Sequence, residues 1–297
     1  ESERTRIAKD LHDGLSGMFS TVKMYLSTLE HKQPQLQSDE LFKKSVAMVD
    51  NAAVEVRRVA HNMMPEALQK MGLVNAVKDL GDVVVVAPDS PQSGMGHAIT
   101  INKPLRIDEV HLFDGVKSYQ CSGTPADCVK IAKDKILHRK PDLCVSGINH
   151  GSNSSINIIY SGTMSAAMEA CLEGIPAVGF SLLDYKLDAD FTAATVFAKV
   201  VAKQILDNGL PKATLLNVNI PNLKTEEIKG VRVCRQAVAK WEEEYMERQD
   251  PFGRNYYWLT GKFVNHDKGE DTDEWALQNG FVSVVPIQFD LTAHHAI

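Results

Sequence analysis

The stretch Gly81-Asp82-Val83-Val84-Val85-Val86-Ala87-Pro88 decides the fold of this chain. Consecutive valines bounded by Gly and Pro are typical of a strand that is buried on both faces, as strands of a parallel sheet are. The residues before this stretch show helical periodicity and contain no comparable apolar run. We therefore predict two domains: an all-α helical segment over residues 1–80 and an α/β domain over residues 81–297.

Downstream of this stretch, short apolar runs alternate with helical stretches. The predicted strands are 83–87, 143–145, 177–180 and 215–220, and the predicted helices are 126–138, 163–172 and 191–207. This alternation predicts a Rossmann-like, mainly parallel sheet with helices on both faces. Ligands of such folds bind beyond the carboxyl ends of the strands, so the loops that follow the strands are the candidate functional segments.

Charge, cysteine content and hydropathy exclude some classes of protein. Residues 1–80 hold equal numbers of acidic and basic side chains, so the net charge of −6 lies entirely in residues 81–297. An acidic domain is not expected to bind a nucleic acid polymer. The five cysteines are odd in number and have no CxxC spacing, which favours reduced thiols in the cytoplasm. We find no apolar run long enough to span a bilayer.

The first domain shows two apolar stripes of helical spacing. They comprise Ile7, Leu11, Leu15, Met18, Val22, Leu26 and Leu29, and then Phe42, Val46, Val49, Ala53, Val56, Ala60 and Met63. Two amphipathic helices joined by a short polar loop cannot bury both stripes alone, and pairing with a second copy as a four-helix bundle solves this. We therefore predict a homodimer or a higher oligomer.

The segment Arg6-Ile7-Ala8-Lys9-Asp10-Leu11-His12-Asp13-Gly14 resembles the phosphoacceptor box of sensor histidine kinases, and Val59 to Leu68 resembles the end of their second helix. The resemblance implies that His12 receives a phosphoryl group and that Asp13 is its acid/base neighbour. The ATP-binding domain of that family has no counterpart here. A histidine kinase or response regulator is thus a possible partner, and His12 would be phosphorylated in trans.

In the second domain, several loops follow the predicted strands. No single one of these loops is specific, but the set of them together indicates a family. They are Ala87 to His97, Ser146 to Asn153 and Tyr160 to Ala167, with Ser122 to Val129 and Val282 to Thr292 in addition. This set resembles SurE, a family of metal-dependent nucleoside-monophosphate phosphatases, over residues 81–297. The resemblance implies hydrolysis of nucleoside 5′- or 3′-monophosphates to nucleoside and phosphate.

The same resemblance implies the site residues. In SurE proteins two adjacent aspartates, a Ser and an Asn hold one divalent ion, and here Ser93 and Asn149 match the last two. Ser161, Gly162 and Thr163 match the segment that holds the substrate phosphate. Ligands that are all oxygen suit Mg²⁺ or Mn²⁺, and such an ion would activate water and neutralise charge on the phosphoryl group.

The aspartates of the family have no counterpart in this chain. SurE proteins begin with an apolar strand that ends in Asn-Asp-Asp-Gly, whereas no Asp-Asp pair occurs anywhere in this sequence. We therefore expect weak metal binding and impaired activity. A missing inner strand would leave unpaired backbone groups, which suggests a rearranged sheet, a strand donated by another chain, or a recombined or wrongly assembled gene.

Some other features have less specific interpretations. His97 and His150 lie in the candidate loops, whereas His294 and His295 lie near the end of the chain, and isolated histidines are mostly ordinary surface residues. The segment 241–254 is rich in Glu, Tyr and Arg, and we interpret it as a solvated helix or an arm.

Overall fold

The protein is described here by a computed structural model that covers residues 16–33, 35–36, 39–49, 52, 72–186, 189–249 and 253–297. It divides into two compact units, Glu1–Lys70 and Met71–Ile297. The division lies upstream of the boundary predicted between residues 80 and 81.

The first unit is helical where it is described. Helix α1 spans Ser16–Lys32, and residues 40–49 form a further helical stretch. The carboxylate of Asp39 accepts a hydrogen bond of 2.8 Å from the backbone N–H of Phe42, as a helix-capping side chain does. His12 and Asp13 lie outside the described residues.

The second unit contains the α/β fold. Its helices are α2 (Leu73–Val77), α3 (Pro125–Ile131, continued by a π-helical turn over Ala132–Leu137), α4 (Gly162–Leu172), α5 (Thr192–Asn208) and α6 (Asp273–Gln278). Its strands are β1 (Val84–Pro88), β2 (Ile107–Phe113), β3 (Val116–Cys121), β4 (Cys144–His150), β5 (Ala177–Leu182), β6 (Thr214–Ile220), β7 (Val231–Val233), β8 (Ala239–Gln249), β9 (Asn255–Asn265) and β10 (Val282–Gln288). Short 3₁₀ turns span Ser155–Tyr160, Thr225–Glu227 and His294–Ala296.

The predicted strands and helices of residues 81–297 are all present, within a few residues of the predicted bounds. This confirms the α/β class and the mainly parallel central sheet. The hairpins β2–β3 and β8–β9 and the strands β7 and β10 were not predicted as strands. Of the two interpretations of residues 241–254, a solvated helix or an arm, the helix was wrong, because most of this segment forms β8, which pairs with β9 along its whole length.

Helices cover both faces of the central sheet. One apolar cluster joins Leu73 and Val77 of α2 and Ala198 of α5 to Val178 and Phe180 of β5. A second cluster joins Met164 and Ala167 of α4 to Ala177 of β5 and Leu215 of β6 on the opposite face. Because the buried side chains of α2 belong to the first of these clusters, residues 73–77 are part of the α/β unit and not of the helical segment.

The strands of the fold do not join into one continuous sheet. One sheet has the order β1-β3-β2 and another has the order β4-β5-β6-β10-β7, while β8 and β9 form a separate ribbon. Pairing is parallel from β4 to β6 and between β1 and β3, and antiparallel between β6 and β10. The first two sheets therefore end in β1 and β4, each with one edge that no described strand occupies.

Candidate active site

The loop after β1 is fixed against the segment that precedes α4. The backbone N–H of Gly96 donates a hydrogen bond of 3.1 Å to the carbonyl of Tyr160. Gly96 has φ of 57°, and a Cβ at this position would lie 2.8 Å from the carbonyl oxygen of Ile159. Only glycine allows this approach. The loop therefore holds exposed Ser93 close to the start of α4, and no described residue forms a hydrogen bond with the Ser93 hydroxyl.

Asn149 lies near the carboxyl end of β4 with its amide oriented by the backbone. Its Nδ2 donates hydrogen bonds of 2.9 Å to the carbonyls of His150 and Gly151. These bonds use the amide nitrogen, so Oδ1 faces the opposite way, and no described group donates a hydrogen bond to it. An amide oxygen presented in this way is a suitable ligand for a hard cation.

The start of α4 offers backbone donors to an anion. The hydroxyl of Ser161 accepts a hydrogen bond of 3.1 Å from the N–H of Met164 and so caps the helix. The N–H groups of Gly162 and Thr163 have no acceptor among the described residues. Free N–H groups and the positive end of the helix dipole together favour a phosphate at this position.

Gly162 brings the loop after β1 and the start of α4 into one site. A Cβ at Gly162 would lie 3.3 Å from the carbonyl oxygen of Gln92 and 3.1 Å from Cγ of Pro125. Gln92 is the neighbour of Ser93 in the chain, so the loop of Ser93 runs beside the candidate phosphate-binding amides. No contact among the described residues joins Asn149 to Ser93 or to Gly162.

Glu169 fixes the orientation of α4 relative to the first loop. This buried carboxylate contacts Nε2 of His97 at 2.8 Å and Nζ of Lys130 at 2.6 Å. The hydrogen bond to Glu169 raises the pKa of Lys130 above its ordinary value. His97 thus holds the loop to the helix, which is a structural role.

The other candidate histidines also have partners. His150 packs edge-on against Phe191 with ring centroids 4.9 Å apart, and His294 contacts Asp290.

Asp127 holds the chain beyond the first loop to α3. Its carboxylate accepts hydrogen bonds from the N–H groups of Thr100 and Thr124, and Thr124 is the capping residue of α3. Burial alone would raise the pKa of Asp127, but these hydrogen bonds outweigh it and hold the pKa below the ordinary value. Asp127 is therefore a structural carboxylate and not a catalytic one.

The loop after β4 rests on a buried polar network that sequence analysis missed. Oδ1 of Asn219 accepts from the N–H of Asn153 at 2.8 Å, and Asn217 donates to the carbonyl of Asn153 at 2.8 Å. Nδ2 of Asn153 donates to the hydroxyl of Ser181 at 2.7 Å. Asn217 and Asn219 alternate along an otherwise apolar strand, and two amides on one face of a buried strand are the signal that could have revealed the network.

Two adjacent carboxylates of α6 complete this network. Asp273 accepts hydrogen bonds from the N–H groups of Ser155 and Ala237, and Glu274 accepts one from the hydroxyl of Ser154. Burial raises the pKa of both Asp273 and Glu274 above their ordinary values. Their hydrogen bonds fix the path of the loop at Ser154 and Ser155.

Among the described residues, the donors that the sequence predicts for a metal ion are few and uncharged. Within the described residues, no group of three or more His, Cys, Asp or Glu side chains could hold a metal ion. Ser93 and Asn149 provide one hydroxyl and one amide oxygen, which lack the negative charge that a hard dication requires. All five cysteines are free, and burial raises the pKa of Cys144 to about 12, so this thiol is not a nucleophile at neutral pH.

The fold is an α/β fold with a mainly parallel central sheet and helices on both faces. Beside a strand-end loop, the start of α4 is a candidate phosphate site. The family described as Survival protein SurE matches residues 65–243, and the family described as Histidine kinase matches residues 3–68. The chain belongs to the SurE family. It joins that domain to a histidine-kinase segment, as the sequence predicted.

Two relatives of high identity are both called 5'-nucleotidase SurE. The one from Christiangramia forsetii is 69% identical over 76% of this chain and 87% of the relative. The one from Flavobacterium psychrophilum is 63% identical over 76% of this chain and 88% of the relative. The crystal structure of the SurE protein from Aquifex aeolicus is 41% identical, with a TM-score of 0.66, and the match covers 76% of this chain and 90% of that chain.

No described helix is both long and apolar enough to cross a membrane.

Proposed function

We propose that the SurE domain binds the phosphate of nucleoside 5′- or 3′-monophosphates at the start of α4 and hydrolyses these esters poorly. The observation that supports binding is the pair of free N–H groups of Gly162 and Thr163 beside the loop of Ser93. Their hydrogen bonds would orient the phosphoryl group and offset its charge. The Ser161 hydroxyl is already used as the helix cap, so its role is to shape this site.

The low activity follows from the ligand set. SurE relatives are metal-dependent, and the dication, Mg²⁺ or Mn²⁺, would supply a nucleophilic water and charge neutralisation. Ser93 and Asn149 are the residues proposed to remain of its ligands. Since no carboxylate cluster lies among the described residues, we assign no catalytic step to the metal.

The test is phosphate release from AMP with Mn²⁺, in parallel with the Christiangramia forsetii protein. We expect turnover about 10³-fold below that of the relative, because loss of metal assistance costs several kcal/mol of transition-state stabilisation. AMP should still bind, with affinity reduced in Gly162→Pro, which removes one free N–H, and unchanged in the control Gly209→Ala at a distant open turn. Turnover within tenfold of the relative would contradict the proposal.

A second candidate function rests on the match of residues 3–68 to histidine kinases. In this proposal Nε2 or Nδ1 of His12 attacks the γ-phosphorus of ATP that is held by another kinase chain. A phosphorus–nitrogen bond forms, ADP leaves, and Asp13 accepts the imidazole proton. Labelling of the full chain by a co-expressed kinase core, lost in His12→Gln and kept in His31→Gln, would support it. Equal labelling of both variants would contradict it.

The homodimer is a proposal that rests on α1. Met18, Val22 and Leu29 of the predicted apolar stripe leave 65%, 41% and 44% of their surface exposed, which is unusual for the apolar side of a helix. Pairing with a second copy would bury these side chains. Light scattering should give the mass of a dimer, and Met18→Glu combined with Leu29→Glu should shift that mass toward the monomer.

A further inference from the structure

A cavity of about 330 Å³ lies at the end of the π-helical turn that continues α3. The side chains that line it are Lys133, Asp134, His138, Arg139 and Lys140. Four of these five residues are basic, although the net charge of the chain is −6. The negative end of the helix dipole accounts for a cation in the last turn of a helix, but it does not require that several cations surround one cavity. This local excess of positive charge indicates an anionic ligand.

The backbone at the end of this helix brings the basic side chains together. The π-helical turn carries Lys133. His138 follows the turn with φ of 53°, a left-handed conformation that ends the helix. Arg139 and Lys140 then lie in the short connection that leads to β4. Side chains of the helix and of the connection therefore line one cavity.

Two of the lining charges are already paired inside the protein. Nζ of Lys133 contacts the carboxylate of Glu173, and this hydrogen bond lowers the pKa of Glu173 below its ordinary value. The carboxylate of Asp134 contacts Nζ of Lys135 at 2.9 Å. Lys133 and Asp134 therefore shape the wall of the cavity and add little net charge to it.

The other three basic side chains keep donors that no described residue uses. Nη1 of Arg139 donates to the carbonyl of Lys140 at 3.0 Å and lies 3.4 Å from the exposed carboxylate of Asp142. Nε and Nη2 of Arg139 have no acceptor within the described part of the chain. Nζ of Lys140 lies 3.2 Å from the place that a Cβ would take at Gly174, just after α4. Neither this ammonium nor the ring of His138 forms an ion pair with a described residue.

This cavity is separate from the candidate phosphate site. The contact of Lys133 with Glu173 and the position of Lys140 beside Gly174 place the cavity at the end of α4. The candidate phosphate site lies at the start of the same helix, at Gly162. Because α4 has 11 residues and a helix rises about 1.5 Å per residue, the two places are about 16 Å apart. One small anion therefore cannot occupy both.

We propose that the cavity at the ends of α3 and α4 binds a diphosphate group, which is either free pyrophosphate or part of a nucleotide. The planar guanidinium of Arg139 holds two phosphate oxygens at once, and the ammonium of Lys140 and the ring of His138 supply further donors. A volume of about 330 Å³ corresponds to roughly ten water molecules of the liquid, so two linked phosphates have room. This site does not depend on hydrolysis at the start of α4.

Protection of Lys140 from acetylation tests this proposal on the native full chain. The probe is pyrophosphate without added divalent metal, and mass spectrometry measures how fast an acetylating reagent modifies each lysine. At a concentration about ten times the Kd, we expect about tenfold slower acetylation of Lys140, because few sites remain free. Lys117, an exposed lysine of β3, is the internal control and should not change. Protection by ADP at lower concentration than pyrophosphate would identify a nucleotide as the source of the diphosphate, and the reverse order would identify free pyrophosphate.

Calorimetric titration with pyrophosphate supplies a second measurement. The double variant Arg139→Gln and Lys140→Gln should lower the affinity about tenfold or more, whereas the matched control Lys117→Gln should retain it. The site should also remain in Gly162→Pro, which alters only the start of α4.

Three outcomes would overturn the proposal. They are no protection of Lys140 at millimolar pyrophosphate, equal protection of Lys117, and pyrophosphate binding that is lost in Gly162→Pro but kept in the double variant, which would place the anion at the start of α4. If a variant does not fold, the acetylation of the native chain still decides.

Discussion

At the start of α4, the side chain of Ser161 stabilises the helix and leaves neighbouring backbone N–H groups without an acceptor among the described residues. Ser161 caps the helix through its hydroxyl, and Gly162 lacks a side chain where Gln92 and Pro125 approach. The cap satisfies one of the N–H groups of the first turn and leaves those nearest the loop free. The sequence motif Ser-Gly-Thr therefore divides into a structural residue and the two residues that we propose as phosphate donors.

We predict that Ser161→Ala destabilises the protein by about 1 kcal/mol, because the N–H of Met164 loses its acceptor. Denaturant unfolding measures this change. The control Ser161→Thr keeps the capping hydroxyl and should cost much less. A Ser161→Ala variant as stable as the native chain would contradict the capping role.

The raised pKa of Glu274 predicts a dependence of stability on pH. Burial makes its charged form less favourable in the folded state than in the unfolded state, so the folded pKa lies above the unfolded pKa. Stability is then greatest below the unfolded pKa and decreases as pH rises through the folded pKa. Glu274→Gln keeps an acceptor for Ser154 but cannot ionise.

Thermal unfolding of Glu274→Gln and the native chain between about pH 2 and pH 8 checks this direction. The variant should gain stability relative to the native chain as pH rises. Asp290→Asn is the control at an exposed carboxylate whose pKa is lowered by hydrogen bonds from Thr292, and its difference from the native chain should have the opposite sign. A Glu274→Gln curve parallel to the native curve would show that burial does not govern this group.

At the scale of elements, strands with local sequence signals were predictable and strands defined by long-range pairing were not. The apolar runs of β1, β5 and β6 mark strands that are buried on both faces. In contrast, β8 is polar and exposed, so its sequence has no period that distinguishes a strand from a solvated helix. Its partner β9 holds it in place through pairing that no local pattern reveals.

The ribbon of β8 and β9 depends on one glycine. Gly261 has φ of 144°, and a Cβ there would lie 2.3 Å from the carbonyl oxygen of Glu242 in β8. We predict that Gly261→Ala separates the strands at this point and increases chymotrypsin cleavage at the exposed aromatic residues of the ribbon severalfold.

Gly253→Ala provides the control for this prediction. Gly253 also has a positive φ, of 77°, but a Cβ there would have no neighbour within 4 Å. The control should therefore cause only the backbone strain of about 1 kcal/mol that a side chain meets in this conformation. Equal cleavage of the two variants would show that contact with Glu242 is not what excludes a side chain at Gly261.

At the scale of the whole molecule, the two domains could be predicted but their boundary could not. The helical pattern of residues 73–77 continues that of the preceding segment, so the sequence gives no sign that Leu73, Ala76 and Val77 pack on another fold. The candidate site was predicted through resemblance to a family, and the Asn217 and Asn219 network beneath it was not, since buried amides are paired only in three dimensions.

Truncation tests the boundary. A chain of residues 71–297 should unfold at the same temperature as the second unit of the full chain. A chain of residues 81–297 loses the three buried side chains of α2 and should be less stable by roughly 4 kcal/mol. Equal stability of the two truncations would place the boundary where the sequence predicted it.

The central claim is that this SurE domain retains a phosphate-binding helix start and lacks the anionic ligands of its metal. Calorimetric titration of the full chain with Mn²⁺, in parallel with Asn149→Ala, tests it most directly. We expect no binding tighter than about 1 mM for either protein, because one hydroxyl and one amide oxygen cannot offset the dehydration of a dication. Micromolar binding by the native chain that is lost in Asn149→Ala would contradict the claim.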